Sequence, residues 1–280
     1  MMRAKAYAAG TVLNALPTGI GSAFGIEMHT IVKLRPSDEL KVFVNGVERR
    51  SIVAERILNS MDVTAEVIVE SEIPGGSGLG SSSAFVNALI CAVKKMKGEE
   101  LNAFEILRSN ARFSLEAGIS YTGAFDDASA SMLGGFVVSD NRKMRLIRTD
   151  EFEGYSAVLI PKFSRGKVDW RRLRERASEV EGAVEAAMRG EYCKAMKLNT
   201  EYICKMLGYP LEIAEKGWEK GICCGISGNG PSYVAFGSKN EMEALAETWG
   251  EYGRVYVRRV ADEPAEDVVI PTPFFRKLDG

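Results

Sequence analysis

The chain has almost no histidine and few cysteines. His29 is the only histidine among 280 residues, so a Ser-His-Asp or Cys-His site would have to use it. It lies in GIEMHTIVKL, a pattern that predicts a strand with a structural histidine. The five cysteines include no C-x-x-C pair, and one histidine cannot complete a cysteine–histidine zinc set. We therefore expect neither a hydrolase triad nor a zinc site, and we expect the cysteines to be small buried side chains in a reducing compartment (Cys91, Cys193, Cys204, Cys223 and Cys224).

An excess of positive charge is also missing. Lysine and arginine number 36 and aspartate and glutamate 38, so the net charge is −2. This balance supplies no broad cationic surface for a polyanionic backbone. The densest basic cluster, DWRRLRER at 169–176, has helical spacing and is followed directly by SEVEGAVE, which favours a solvated helix face. The sequence therefore predicts that nucleic acid is not a partner.

Long hydrophobic runs are absent as well. No stretch reaches the roughly 18 consecutive apolar residues that a membrane span requires. The chain begins with a charged stretch, but Asn14, Pro17 and several glycines interrupt the apolar core that a signal peptide would need. We predict no membrane partner and a cytoplasmic location.

What the chain does have is the composition of an ordinary globular protein, with 46% hydrophobic and 26% charged residues. A length of 280 residues corresponds to about two domains of roughly 150 residues each. A fresh buried strand pattern, YSAVLIPK, begins near residue 155. We therefore predict an N-terminal domain of residues 1–153 and a C-terminal domain of residues 154–280.

The predicted elements alternate in both domains. RAKAYAAG, GIEMHTIVKL, LKVFV and TAEVIVES read as strands, with a hairpin turn at Asn45 and Gly46. Two helical patterns follow and end at Gly98 and Gly118. After the hairpin pattern GGFVVSDNRKMRLIR, the order of strand, helices, strands, helix and strand resembles a split β-α-β layout of ferredoxin-like type. The predicted fold class is α+β.

A glycine- and serine-rich segment, PGGSGLGSSSA at 74–84, joins a strand pattern to a helix pattern. Its four glycines let the backbone approach an anion, and a helix start exposes N–H groups with partial positive charge. Its serines can cap the helix, donate to phosphate oxygens or ligate a cation. The segment matches neither G-x-x-x-x-G-K-[ST] nor G-x-G-x-x-G. On spacing alone, a flexible connector explains it equally well.

The segment resembles the P-x-x-x-G-L-G-S-S-A signature of the GHMP kinases, the family of galactokinase, homoserine kinase, mevalonate kinase and phosphomevalonate kinase. Ser83 is inserted before Ala84, and the other signature positions are in register. TGAFDDASASMLGG at 122–135 and GISGNGPSYVAFG at 225–237 resemble two further family segments, in the family's order. Within the family, AYAAGTVLNALPTGIGSAFGIEM, GAFDDASAS and SGNGPS are most similar to the archaeal type of shikimate kinase.

This resemblance implies a fold and a nucleotide site. The fold is the two-domain GHMP kinase fold, with an N-terminal ATP-binding domain like ribosomal protein S5 domain 2 and a ferredoxin-like C-terminal domain. The cofactors are ATP and Mg²⁺, with Ser82 or Ser81 and Glu116 as the metal ligands. The implied ATP-binding residues are Pro74, Gly75, Gly76, Ser77, Gly78, Leu79, Gly80, Ser81, Ser82, Ser83, Ala84, Gly228, Asn229 and Gly230.

The resemblance also implies an acidic residue beside the acceptor hydroxyl. In most family members that possess it, this aspartate lies seven residues before a Gly-Gly pair, a spacing that favours Asp127 over Asp126. Asp126 stays open as the alternative, and either aspartate could instead cap the helix predicted for DDASASML. Lys5 is a candidate for keeping the aspartate ionised or for contacting phosphate.

The implied reaction is phosphorylation of the 3-hydroxyl of shikimate by ATP. Shikimate carries a carboxylate, which an arginine can bind bidentately, and the sequence offers Arg112, Arg165 and Arg171 without choosing among them. Homoserine or a mevalonate-pathway alcohol is the alternative acceptor. A ligand-binding regulator without turnover is a further alternative, although the retained carboxylates disfavour it, and the charge balance disfavours an RNA-binding protein. The oligomeric state stays open, with a homodimer as one option.

Overall fold

The computed structural model describes residues 1–271 and contains two sheets with helices packed on them. The first sheet has seven strands in these residues, in the order β4-β3-β5-β2-β6-β7, with β1 paired to β2. Only the β3–β5 pair is parallel. The strands are β1 (Met2–Leu13), β2 (Ile20–Pro36), β3 (Lys41–Val44), β4 (Val47–Glu48), β5 (Ala65–Ser71), β6 (Phe136–Asp140) and β7 (Arg145–Asp150).

The long strand β2 organises this sheet. It pairs with β1 along one edge, and on its other edge it pairs with β6 near its start and with β5 near its end. The predicted hairpin between β3 and β4 is confirmed, because Asn45 and Gly46 both have positive φ, as a two-residue hairpin turn requires.

Four helices accompany the first sheet: α1 (Ile52–Ser60), α2 (Ser81–Met96), α3 (Ala103–Glu116) and α4 (Phe125–Leu133). Helix α2 packs on β1 and β2, and its sequence is apolar on most sides, so ten of its residues are buried. The predicted helix ends are confirmed, since Gly98 and Gly118 follow α2 and α3 with positive φ.

The second sheet is antiparallel and has the order β11-β8-β10-β9. Its strands and helices alternate as the predicted split β-α-β layout requires. They are β8 (Tyr155–Pro161), α5 (Trp170–Glu175), a 3-10 turn (Ala177–Val180), α6 (Glu181–Arg189), α7 (Tyr192–Leu207), α8 (Glu212–Trp218), β9 (Cys223–Ile226), β10 (Tyr233–Gly237), α9 (Lys239–Trp249) and β11 (Gly253–Arg259).

Aromatic rings pack between the two halves of the molecule, that is, the first sheet with its helices and the second sheet with its helices. The ring of Phe136 on β6 lies 5.1 Å from Phe24, 4.5 Å from Tyr192 and 4.8 Å from Phe236, measured between ring centroids. Beyond β11 the chain returns to the first half, where Ala261 N donates to Gly25 O at 3.0 Å. The division at residues 153/154 stays a prediction, and residues 272–280 of the predicted second domain lie outside the described residues.

The expectation for the cysteines is wrong in part. Cys91, Cys204 and Cys224 are buried free thiols, but Cys193 and Cys223 form a disulfide, with Cα atoms 4.9 Å apart. The two residues are 30 positions apart and meet because α7 packs on β9. Such a long-range pair leaves no spacing signal in the sequence.

None of the helices in residues 1–271 is long and apolar enough to cross a bilayer.

Replacing Phe136 with alanine should remove the ring that joins the two halves. We expect the free energy of unfolding to fall by about 3–5 kcal/mol, because the lost ring leaves a cavity in a packed interior. Urea denaturation measures the change, and Val47→Ala, at a side chain 49% exposed, is the control. A loss below about 1 kcal/mol, the size of an ordinary surface effect, would contradict this account of how the halves are joined.

Candidate active site

A cavity of about 200 Å³ lies where the two halves meet. The end of β1, the start of α2, the connection from α3 to α4, Arg165 and the turn at 228–229 form its walls. Ten residues predicted from the sequence line it: Gly76, Gly78, Gly80, Ser81, Ser82, Ser83, Asp126, Asp127, Gly228 and Asn229.

The loop before α2 has a conformation that requires glycine. Gly78 has φ +88, and a Cβ atom on it would lie 2.3 Å from Ser227 O. Gly80 has φ +65, and a Cβ atom there would lie 3.0 Å from the side chain of Ala9. The loop is fixed on β1 because Ala9 N donates to Leu79 O at 3.1 Å. The segment is therefore a fixed turn, and a flexible connector does not describe it.

Helices α2 and α4 both begin at this cavity without a side-chain cap. The N-cap residues, Gly80 and Ala124, have left-handed conformations, with φ +65 and +48. Within residues 1–271, no side chain bonds to the first free N–H groups of α2, whereas in α4 the Asp126 N–H donates to Asn141 Oδ1. Uncapped N–H groups and the positive end of the helix dipole together favour an anion.

The second glycine turn is hydrogen-bonded to the first. Ser227 Oγ donates to Gly78 O at 2.8 Å, and Gly228 N donates to Thr11 Oγ1 at 2.8 Å. Asn14 Nδ2 donates to Gly228 O and to Asn229 Oδ1, both at 2.9 Å. The end of β1 thus holds both glycine turns in one position.

Asp126 is held by the protein. Its Oδ1 accepts from Asn141 Nδ2 at 2.8 Å, and its backbone N donates to Asn141 Oδ1 at 3.2 Å. Its Oδ2 faces Gly21 so closely that a Cβ atom on that glycine would lie 2.2 Å away. Asp126 is 5% exposed, and its carboxylate is therefore anchored against β2.

Asp127 is the carboxylate that the protein leaves free. Its Oδ1 is buried and has no hydrogen-bond partner among residues 1–271. It sits in the first turn of α4, where Ala124 is the N-cap, so neither Asp126 nor Asp127 caps this helix. A buried polar atom without a partner is costly to retain unless a ligand completes it.

Burial raises the pKa of both aspartates. For Asp127 the pKa lies well above its usual value, because of desolvation first and the neighbouring Asp126 charge second, while Arg165 lowers it. For Asp126 desolvation raises the pKa, and the hydrogen bond from Asn141 opposes this. One site thus contains two acids in different environments, a common feature of catalytic clefts.

Arg165 is the arginine of the three sequence candidates that lines the cavity. Its Nε donates to Gly230 O at 2.9 Å, which fixes the guanidinium beside the second glycine turn. Arg112 lies 3.9 Å from Glu116 on the surface of α3, and Arg171 lies over the ring of Trp170.

Glu116 lies outside the cavity. Its oxygens are 4.0 Å from Arg56 and 3.9 Å from Arg112. Ser114, on the same helix, does line the cavity. Residues two positions apart on a helix point about 200° apart, so Glu116 faces away.

Lys5 also lies outside the cavity. It is six residues before Thr11 on β1, roughly 20 Å along the strand, and its Nζ lies over the ring of Tyr7. Six other predicted residues also do not line the cavity: Pro74, Gly75, Ser77, Leu79, Ala84 and Gly230.

Several lining residues were not predicted from the sequence. Thr11, Asn14 and Ser114 come from a strand end and a helix whose patterns indicate only burial. Tyr121 and Thr122 belong to the connection between α3 and α4. Thr122 begins the family-like segment TGAFDDASASMLGG, and Thr11 and Asn14 lie within AYAAGTVLNALPTGIGSAFGIEM, so these resemblances were the available signal.

The residues present fit a nucleotide with Mg²⁺. The glycine turn and the uncapped start of α2 suit phosphate oxygens. The described residues contain no group of three or more His, Cys, Asp or Glu side chains suited to a metal. Mg²⁺ in phosphate sites keeps several waters and needs few protein ligands, so the Ser82 hydroxyl would hold it together with the phosphate oxygens.

The chain is similar to known kinases in sequence and in fold. Residues 46–135 match the model of the GHMP kinases N terminal domain. The chain is 40% identical over 272 residues to a shikimate kinase of Methanocella arvoryzae, covering 93% of this chain and 94% of that protein. A shikimate kinase of Methanosarcina acetivorans is 36% identical over 266 residues, with 89% of each covered. The solved mevalonate kinase of Methanococcus jannaschii has a TM-score of 0.72 at 14% identity, over 92% of this chain and 98% of that one. The predicted α+β fold is confirmed.

Gly78→Ala should disable the cavity. The new Cβ atom would meet Ser227 O at 2.3 Å on a residue with positive φ, so the two glycine turns must separate. We expect a loss of ATP turnover of at least about 100-fold, since small misplacements of this kind have such effects. A coupled ADP assay measures it. Gly182→Ala on α6, where the nearest atom would be 3.6 Å from the new Cβ atom, is the control. Unchanged turnover in Gly78→Ala would contradict this description of the loop.

Proposed function

Because the chain belongs to the GHMP kinase family, we propose that it is an ATP-dependent kinase that phosphorylates the 3-hydroxyl of shikimate, giving shikimate 3-phosphate and ADP. The observation that carries the chemistry is the placement of Asp127. Asp127, whose Oδ1 is buried without a partner, lines the same cavity as the glycine turn and the uncapped start of α2.

In this proposal the loop of 75–82 binds the triphosphate. Backbone N–H groups at the start of α2 donate to phosphate oxygens, and Ser81 and Ser82 add hydroxyl donors. The Ser82 hydroxyl would help to hold Mg²⁺, which would supply positive charge for the transferring phosphoryl group. Of the two predicted metal ligands, Ser82 lines the cavity and is retained here, whereas Glu116 is not brought to it.

Asp127 receives the acceptor. Its carboxylate accepts a hydrogen bond from the acceptor hydroxyl and takes its proton as the hydroxyl oxygen bonds to the γ-phosphorus and the bond from that phosphorus to the ADP oxygen breaks. Asp126 has a different role, because Asn141 holds it and its charge raises the pKa of Asp127. A raised pKa makes Asp127 a better proton acceptor than an ordinary exposed carboxylate.

Arg165 stands at the phosphate side of the cavity. Its guanidinium donates a hydrogen bond to the carbonyl oxygen of Gly230 in the second glycine turn. Its positive charge lowers the pKa of Asp127 and so favours the ionised carboxylate. We assign it to the charge that develops on the transferring phosphoryl group. Lys5 is too far along β1 for this role.

The competing functions share much of this chemistry. A homoserine or mevalonate-pathway kinase would use the same phosphate loop and the same aspartate, and a panel of acceptors with ADP release as the readout separates them. A regulator without turnover is disfavoured, because a site that only binds has no need for an unpartnered buried carboxylate. We also propose a cytoplasmic location, where ATP is available, while a homodimer stays a prediction.

Asp127→Asn tests the assignment of the proton acceptor. We expect kcat with shikimate to fall by about 10²–10⁴, the usual contribution of a positioned base. ADP release measures it, and Asp38→Asn, at an exposed loop position, is the matched control. Unchanged turnover in Asp127→Asn together with collapse in Asp126→Asn would exchange the two roles.

The pH dependence tests the charges around Asp127. Activity requires ionised Asp127, so it should be lost as the pH falls through a pKa raised above the usual aspartate value. Asp126→Asn removes a charge that raises this pKa, so the acid limb of kcat/KM should move to lower pH. Arg165→Gln removes a charge that lowers it, so the limb should move to higher pH. If the acid limbs of the two variants shift in the same direction, or do not shift, the proposed effects of Asp126 and Arg165 on Asp127 are contradicted.

A further inference from the structure

A second compartment opens beside the aspartates. It has a volume of about 180 Å³ and shares Ala15, Leu16, Tyr121 and Thr122 with the first cavity, so the two lie side by side. We call it the arginine notch, because Arg142 and Arg174 line it. Among the described residues that line it, none is an aspartate or glutamate.

Both arginines are placed by the protein but are not neutralised. Arg174 Nε donates to Leu16 O at 3.4 Å, and its guanidinium lies 5.0 Å from the ring centroid of Trp170. Arg142 lies over Gly19, where a Cβ atom would be 2.6 Å from its Nε. Within residues 1–271, neither has a carboxylate oxygen within 4.0 Å.

The notch is fixed relative to the aspartates. Asn141 lines the notch, and its Nδ2 contacts both Asp126 Oδ1 at 2.8 Å and Thr122 Oγ1 at 3.4 Å. Arg142 follows directly in the chain. An acceptor whose hydroxyl lies at Asp127 can therefore extend past Thr122 towards the two guanidinium groups.

We infer that the arginine notch is the subsite for the carboxylate of the acceptor, with Arg174 and Arg142 as its binding residues. This inference rests on the proposed function. A carboxylate beside Asp126 and Asp127 would meet like charge, and Arg165 is engaged on the phosphate side of the cavity. The notch supplies two guanidinium groups beside the site, and planar guanidinium groups match a carboxylate bidentately.

The same charges select among acceptors. The notch has positive groups and no acidic lining residue in the described chain, so it offers no partner for an ammonium group. An acceptor with a carboxylate and otherwise neutral hydroxyls fits this surface. An amino acid such as homoserine would bring its ammonium group near unpaired arginines, which is unfavourable. The notch therefore favours shikimate over homoserine.

Steady-state kinetics of Arg174→Met and Arg142→Met test the inference, with shikimate and its uncharged methyl ester as the two acceptors. We expect the KM for shikimate to rise about 10- to 100-fold in Arg174→Met, because a hydrogen bond to a charged group is lost. The KM for ATP should not change. The wild-type enzyme should prefer shikimate to the ester, and the variants should lose this preference.

Arg172→Met is the matched control, since Arg172 lies on the same short helix and lines neither compartment. Thermal unfolding of each variant excludes a folding defect, and Arg174→Lys should recover part of the affinity. If wild-type enzyme releases no ADP with shikimate, the proposed function fails. If it does, and both notch variants keep the shikimate KM and the preference over the ester, the subsite assignment is overturned.

Discussion

The contact between Gly78 and Ser227 is the constraint on which the site depends. With no side chain on Gly78, the turn before α2 lies against the carbonyl of Ser227, and the serine hydroxyl donates back to Gly78 O. This contact joins segments 149 residues apart in the chain. It leaves the start of α2 uncapped and facing the cavity, so its N–H groups are available to an anion. Any side chain at Gly78 would separate the two turns.

The aspartate pair shows how neighbouring identical residues acquire different properties. Asp126 is anchored by Asn141 and packed against Gly21, whereas Asp127 has a buried oxygen without a partner. The anchored charge raises the pKa of the free one, and Arg165 opposes it. Because both acids are desolvated, small changes in these charges have large effects on ionisation. The site therefore combines a strong proton acceptor with nearby positive charge for phosphate.

Local signals in the sequence predicted much of the fold and part of the site. The glycine turn is a continuous segment whose conformation depends on its own residues, and the helices after it end at glycines with positive φ. Thr11, Asn14 and the arginine notch could not be predicted, because long-range packing brings them together; Thr11 and Ser227 are 216 positions apart. The disulfide between Cys193 and Cys223 was missed for the same reason. Glu116 stays a predicted metal ligand; it lies outside the cavity, and the sequence motif does not fix which face of α3 it occupies.

Hydrogen exchange with and without a non-hydrolysable ATP analogue and Mg²⁺ tests the binding of phosphate at the start of α2 most directly. The account predicts that added protection concentrates in residues 76–83, with a second region at 228–229. Unchanged exchange there, with protection instead around Lys5, would contradict it.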